Sequence, residues 1–242
     1  MLLKIGHRGA AGHVTENTMP SFKKAIELGV DFIELDVHAT ADNQLVVFHD
    51  NKLNRLTDGN GKIAKLTLSQ IQSHKIKGMG MPILTLTEML DELQDKIKFL
   101  IDIKSVKAAE ILCEIITRRK LENNLIISSA KLKVLKIINN CFPQIATALV
   151  YHAANTKFGL SLFTAISFLL YPFNKHYIVW KAKRGKVKFI HPSSLYVTRR
   201  MLRYLRRFGY KINVWWVNSD KKIAKMKLHE VDGIITDYPD RI

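Results

Sequence analysis

Four apolar runs in the first half of the chain end in side chains able to do acid, base or ligand chemistry. His7-Arg8 follows residues 2–6. Glu34 and Asp36 lie in 32–37, His49-Asp50 closes 44–48, and Asp102 and Lys104 end 99–103. Polar groups in the last turn of apolar strands are costly unless they serve a purpose. Glu34/Asp36 and Asp102/Lys104 are each two residues apart, so on a strand both members of a pair point to the same face. Three carboxylates with no cysteine nearby suit a hard, oxygen-seeking cation, Mg²⁺ or Ca²⁺. Two histidines supply a general base and a general acid near neutral pH. Arg8 and Lys104 are donors without acceptor capacity, suited to holding a phosphate. The combination is that of a phosphodiester-cleaving site.

Positioning these groups requires a parallel sheet. Strands expected at 2–6, 32–37, 44–48, 99–103, 125–128, 145–151, 189–191, 211–217 and 233–236 alternate from 99 onward with helices at 108–117, 132–139, 201–208 and 222–228. Earlier helices are expected at 21–28 and 85–93. Strands alternating with helices make βα units. No glycine-rich nucleotide-binding fingerprint follows any strand. A closed (β/α)8 barrel places its active site at the C-terminal strand ends, where the candidate residues fall. Nine strands exceed the eight of such a barrel, so one is short or outside it. No linker or repeat divides the 242 residues, and 1–242 reads as one domain.

Composition narrows the partners. With 47% hydrophobic and 24% charged residues the chain is globular, and the net charge is +17. Residues 1–104 carry 13 basic and 13 acidic side chains, whereas 105–242 carry 25 and 8. Between Glu122 and Asp220 there are 16 Lys and Arg and no Asp or Glu. Such an excess calls for a polyanionic surface. The two cysteines, Cys113 and Cys141, read as buried thiols and form no metal motif. The opening residues are too short for a signal peptide, so a reduced, cytoplasm-facing chain, peripheral at the membrane, is the expectation. His13, His38, His74, His152, His176, His191 and His229 have no chemical companions in sequence and read as structural or surface residues.

The ordered series His7-Arg8-Gly9, Glu16-Asn17-Thr18, Glu34-Leu35-Asp36-Val37, His49-Asp50 and Arg55-x-Thr57-x-Gly59 resembles the glycerophosphodiester phosphodiesterase family. Pro82-x-Leu84, Glu88, Ile101-Asp102-Ile103-Lys104, Trp215-Trp216-Val217-Asn218 and 231–239 continue the resemblance across the chain. It implies a single TIM-type (β/α)8 barrel of the phospholipase-C-like phosphodiesterase kind. It also implies metal-dependent hydrolysis of glycerophosphodiesters to glycerol 3-phosphate and an alcohol. The implied ligands of one divalent cation are Glu34, Asp36 and Asp102, with His7 and His49 as the acid/base pair. Arg8 and Lys104 would lie at the phosphate, with Glu16, Asn17 and Trp216 as further phosphate- or substrate-binding candidates. The implied mechanism begins with attack on phosphorus by the glycerol 2-hydroxyl, giving a cyclic phosphate that water then opens.

Two departures from the family pattern stand out. Asp102 occupies a position where Glu is usual, one methylene shorter. Trp216 occupies a position where Thr is usual, and either lines an apolar substrate pocket or packs. The stretch between His49 and Pro82 leaves no room for a large capping domain.

Residues 158–173 carry no charge, and Lys175, Tyr177, Trp180, Lys181, Lys183, Arg184, Lys186 and Lys188 follow. The run is shorter than the roughly 20 residues that span a bilayer. An apolar segment flanked by aromatics and cations, here about 152–188, has the composition of an interfacial membrane contact. The alternative is a helix buried against the barrel or in a dimer interface. A lysophospholipid substrate presented on an anionic membrane surface would make the protein a lysophospholipase D. A non-catalytic membrane-binding or nucleic-acid-binding barrel explains the charge but leaves the strand-end carboxylates without a role, and nucleic acid is not an expected partner.

Overall fold

The computed structural model describes residues 2–151, 171–195 and 197–242. Eight parallel strands close a barrel: β1 (Leu3–Gly6), β2 (Phe32–Ala39), β4 (Lys98–Ile103), β5 (Leu125–Ser129), β6 (Ala146–Tyr151), β7 (Phe189–Pro192), β8 (Lys211–Trp215) and β9 (Gly233–Thr236). The ring runs β1-β2-β4-β5-β6-β7-β8-β9 and closes by β9 pairing with β1. The remaining strand, β3 (Leu45–Val47), pairs antiparallel with β2 outside the ring. The ninth strand expected from sequence is therefore the one ending in His49, which reaches the site from a hairpin rather than from a barrel stave.

The strands are apolar because both faces are covered. Outward residues such as Ile33, Leu35, Val37, Ile101 and Ile127 pack under the surrounding helices. Those helices include α1 (Met19–Glu27), α3 (Leu86–Leu93), α4 (Val106–Arg119) and α5 (Leu132–Cys141). Ile178, Val179, Ala182, Met201, Leu202 and Leu205 do the same for α6 (Tyr171–Arg184) and α7 (Arg199–Arg206), and α8 (Asp220–Leu228) adds Ile223 and Met226. The barrel interior holds Ile5, Leu100, Ile126, Ala148, Phe189 and Ile235, a plug that floors the C-terminal mouth. Among the described residues no helix is long and apolar enough to cross a membrane. The uncharged run 158–173, with its expected lipid contact, falls outside the residues whose side chains are described.

Residues between β3 and α3 carry a short helix, α2 (Leu68–Gln72), and two single 3₁₀ turns. Val46, Phe48, Leu53, Ile63, Ile71, Ile76 and Ile83 give this excursion its own small core. Phe48 N donates to Asp36 O at 3.0 Å and Val47 N to Leu84 O at 2.8 Å, which fixes His49 beside the end of β2. Opposite, the β1–α1 loop is held by left-handed backbone at Arg8 (φ 52°) and Asn17 (φ 56°) and by Gly9 (φ 90°), whose missing Cβ would overlap Ser21. Thr18 caps α1 by accepting from Ser21 N, anchoring the Glu16-Asn17 turn to a rigid element. Thr18→Ala removes this cap. The expected cost is about 1 kcal/mol, read as a lower urea midpoint with unchanged slope.

Candidate active site

β2 and β4 set the centre of the site. They pair in register with Glu34 opposite Leu100 and Asp36 opposite Asp102. Alternation turns all four side chains to the barrel interior. A cavity of about 210 Å³ at the C-terminal mouth is lined by His7, Arg8, Glu34, Asp36, His49, Asp102, Lys104 and Ser128, with Leu100, Val150, His191, Trp215 and Ile235 as its remaining wall. The seven residues expected as acid/base, metal and phosphate groups thus meet in one place.

Burying three carboxylates demands compensating charge. Asp36 receives most of it. Lys104 Nζ pairs with Asp36 Oδ1 at 2.5 Å and also with Asp102 Oδ2. Arg8 Nε lies 3.3 Å from Asp36 Oδ2, and Asn17 Nδ2 donates to the same oxygen at 3.0 Å. Burial alone would raise the Asp36 carboxyl, but Lys104 and Arg8 overcome it and hold it well below the usual carboxylate range. Burial likewise works against the Lys104 ammonium, and Asp102 and Asp36 reverse the effect, holding it well above its ordinary value. Glu34 differs: burial, reinforced by Asp36 and Asp102, pushes it up to about 7 against the pull of His7 and Arg8. Its Oε2 accepts from Arg8 N at 2.9 Å.

Each histidine is oriented by a carboxylate. His7 Nδ1 meets Asp237 Oδ1 at 2.5 Å, and Asn218 Nδ2 donates to the other oxygen of Asp237. His49 Nδ1 meets Asp50 Oδ1 at 2.7 Å. Fixing Nδ1 leaves Nε2 for chemistry. The two rings titrate in opposite directions. Burial pulls His7 down, yet Asp237 and Glu34 outweigh it and the imidazolium is favoured above the ordinary 6.5. Burial also pulls His49 down. There the cations Arg8 and Lys104 add to it against Asp36 and Asp50, so the neutral ring prevails.

A chain of ion pairs joins the two sides. Arg8 Nη1 donates to Glu16 Oε1 at 2.8 Å, Arg55 Nη2 to Glu16 Oε1 at 2.6 Å, and Arg55 Nε to Asp50 Oδ2 at 2.5 Å. Glu16 and Asn17 therefore hold Arg8 and Asp36 instead of lining the cavity. Trp216 does not line it either. Trp215 does, and Trp216 stacks beside it at 6.5 Å between centroids, 45% exposed, with a left-handed backbone (φ 63°). His191, expected to be structural, is a wall residue. Asn213 bonds its Nε2 at 3.2 Å, and burial lowers its pKa to about 3, so the ring is neutral. Asp237, Asn218, Arg55 and Asp50 lay inside the motifs quoted from the sequence without an assigned role. An acidic residue directly after the last strand was the signal for Asp237.

A hard divalent cation fits the donor chemistry. Three carboxylates share the cavity, a cation (Lys104 Nζ) already bridges two of them, and Glu34 is under-compensated. Among the described residues no three Asp, Glu, His or Cys groups close on one ion as they stand. Ser128 Oγ donates to Asp102 Oδ1 at 3.2 Å, steadying the shorter carboxylate.

The family model for the glycerophosphoryl diester phosphodiesterase family matches residues 7–241. The chain is 30% identical over 256 residues to the glycerophosphodiester phosphodiesterase of Caldanaerobacter subterraneus subsp. tengcongensis, covering 99% of this chain and 96% of that one. It is 25% identical over 266 residues to a lysophospholipase D of Homo sapiens, covering 98% and 84%. The structure of a phosphodiesterase from Oleispira antarctica in complex with the product sn-glycerol-3-phosphate superposes with a TM-score of 0.82 at 22% identity, covering 98% of this chain and 94% of that chain.

The Asp237→Asn variant keeps the shape of the His7 contact and removes its charge. The His7 ring, followed by NMR titration, is expected to titrate lower than in the native protein, because burial persists while the Asp237 charge that opposes it beside Glu34 is gone. An unchanged titration would show that Asp237 does not set its protonation.

Proposed function

The chain belongs to the glycerophosphoryl diester phosphodiesterase family, and from that membership we propose metal-dependent hydrolysis of glycerophosphodiesters to glycerol 3-phosphate and an alcohol, at a membrane surface. The observation that carries the reading is the pair of carboxylate-oriented histidines on one cavity, one biased to the cation and the other to the neutral ring. Titratable groups whose environments push their pKa values apart mark the acid and the base.

Arg8 and Lys104 bind the non-bridging phosphate oxygens. His49 Nε2 accepts the proton of the glycerol 2-hydroxyl as its oxygen bonds to phosphorus. His7 Nε2 gives its proton to the alcohol oxygen as the P–O bond breaks, leaving a cyclic phosphate. The roles then reverse: neutral His7 takes a proton from the attacking water, and His49 returns one to the 2-oxygen. Glu34, Asp36 and Asp102 would hold one divalent ion, Mg²⁺ or Ca²⁺. When bound, the ion offsets negative charge on the phosphoryl group. Asp237 and Asp50 keep both rings in the required tautomer throughout, and the Glu16–Arg55 link fixes the separation of the two sides.

Cavity size speaks to substrate. About 210 Å³ is below the roughly 300–1,000 Å³ of pockets that enclose drug-sized ligands. It suits a glycerophosphate moiety, with larger substituents left at the mouth. The apolar wall of Leu100, Val150, Trp215 and Ile235 favours a second reading, lysophospholipase D action yielding lysophosphatidic acid from a lysophospholipid.

Hydrolysis of glycerophosphocholine and lysophosphatidylcholine tests both readings. Activity should disappear with EDTA and return with Mg²⁺ or Ca²⁺. His7→Ala and His49→Ala should each lose about 10²–10⁴-fold in kcat. The profile of kcat/KM should be bell-shaped, rising as His49 deprotonates below 6.5 and falling as His7 deprotonates above it. Full activity in chelator removes the metal assignment, and full activity in either variant removes that histidine's role.

A further inference from the structure

The cations outside the site have no catalytic work to do. α6 and α7 turn Ile178, Val179, Ala182, Met201, Leu202 and Leu205 to the core, so their outer faces are not needed for packing. Those faces nevertheless expose large aromatic rings: Tyr177 is 51% exposed, Trp180 47% and Phe208, just beyond α7, 41%. Tyr177 and Trp180 stack at 5.7 Å with an interplanar angle of 22°. The side chains resting on these rings and on Tyr204 are cationic. Arg184 lies over Trp180 at 5.1 Å, Lys183 over Phe208 at 4.9 Å, and Lys175 over Tyr204 at 5.0 Å. Exposed Arg200, Arg203 and Arg207 continue the patch along α7. These elements fall within the acid-free stretch between Glu122 and Asp220.

From this juxtaposition we propose that the outer face of α6 and α7 is a docking surface for an anionic lipid bilayer, with Trp180, Tyr177 and Phe208 entering the headgroup region and the flanking Lys and Arg contacting lipid phosphates. The proposal rests on the reading that the substrate is a glycerophosphodiester held at a membrane, and it names the surface that brings the barrel there. Aromatic rings with a wet edge and an apolar face settle at the bilayer interface. Cationic side chains near an anionic leaflet each add about five-fold in affinity. Cations resting on ring faces keep the aromatic and basic groups in one patch, so both can engage the same surface. Nucleic acid also offers phosphates. However, the site acts on a glycerol phosphodiester, so the lipid leaflet is the phosphate array that also carries the substrate.

Co-sedimentation with phosphatidylglycerol/phosphatidylcholine vesicles and with pure phosphatidylcholine vesicles tests the surface. Native protein should bind the anionic vesicles at low salt, release them as salt rises, and bind the neutral vesicles at least ten-fold more weakly. Trp180→Ala/Phe208→Ala and, separately, Lys183→Glu/Arg184→Glu/Arg203→Glu should each weaken binding at least ten-fold. Hydrolysis of soluble glycerophosphocholine should remain within two-fold of native in both, which also reports that they fold. Absence of vesicle binding by the native protein overturns the proposal, as does binding unchanged in both variants. So does tighter binding of a single-stranded oligonucleotide than of anionic vesicles at equal salt. Lack of glycerophosphocholine hydrolysis by the native protein would count against the enzymatic reading alone, since vesicle binding is scored independently.

Discussion

The buried carboxylate Asp36 is the constraint around which the rest is arranged. It sits on an interior strand face, in register with Asp102, where an uncompensated charge is untenable. Lys104, Arg8 and Asn17 converge on it from β4 and the β1–α1 loop. Two of these partners have a further attachment: Lys104 to Asp102, and Arg8 to Glu16, which in turn pairs with Arg55. The left-handed backbone at Arg8 and Asn17 follows from this demand. The loop must bend sharply to return a guanidinium and an amide to the same carboxylate. Electrostatic satisfaction of one strand residue thereby determines the conformation of the loop that presents His7.

The two histidines illustrate how one ring chemistry is split into two states. His7 is largely and His49 partly buried, and burial disfavours the cation in each. Their difference comes from neighbours. His7 lies between Asp237 and the under-compensated Glu34, whereas His49 faces Arg8 and Lys104, with Asp50 largely engaged by Arg55. Placing His49 off the barrel wall, two residues beyond the hairpin strand β3, is what permits this. A side chain on a stave would share the interior layer of Glu34 and Asp36. One on the hairpin enters from the rim, where guanidinium and ammonium groups are nearest.

Much of this was legible in the sequence because it depends on short-range rules. Strand positions followed from apolar runs, and the shared face of Glu34 and Asp36 from the period of two. What escaped depends on closure. That β3 lies outside the ring is decided by its antiparallel pairing with β2, and a run of three buried residues looks the same in either setting. His191 and Trp215 reach the cavity only because β7 and β8 curl back toward β4. Trp216 was a candidate by its unusual identity. The left-handed turn after β8 directs it to the surface and leaves Trp215 on the wall. Asp237 meets His7 across 230 residues of sequence, a contact created when β9 pairs with β1.

Charge balance explains why the basic excess lies apart from the chemistry. Within the cavity Arg8 and Lys104 are balanced by carboxylates, and the first 104 residues are neutral. A surplus of cations there would hold His7 neutral and bind the anionic product too strongly for release. Placing the surplus on the outer helices, α6 and α7 among them, avoids both effects, because exposed charges separated by more than about 8–10 Å of electrolyte are largely screened. The field that attracts a polyanionic surface and the field that tunes the two histidines can then be set independently. The strands between them, with their apolar outer faces packed under α6 and α7, keep the two sets of charges from pairing.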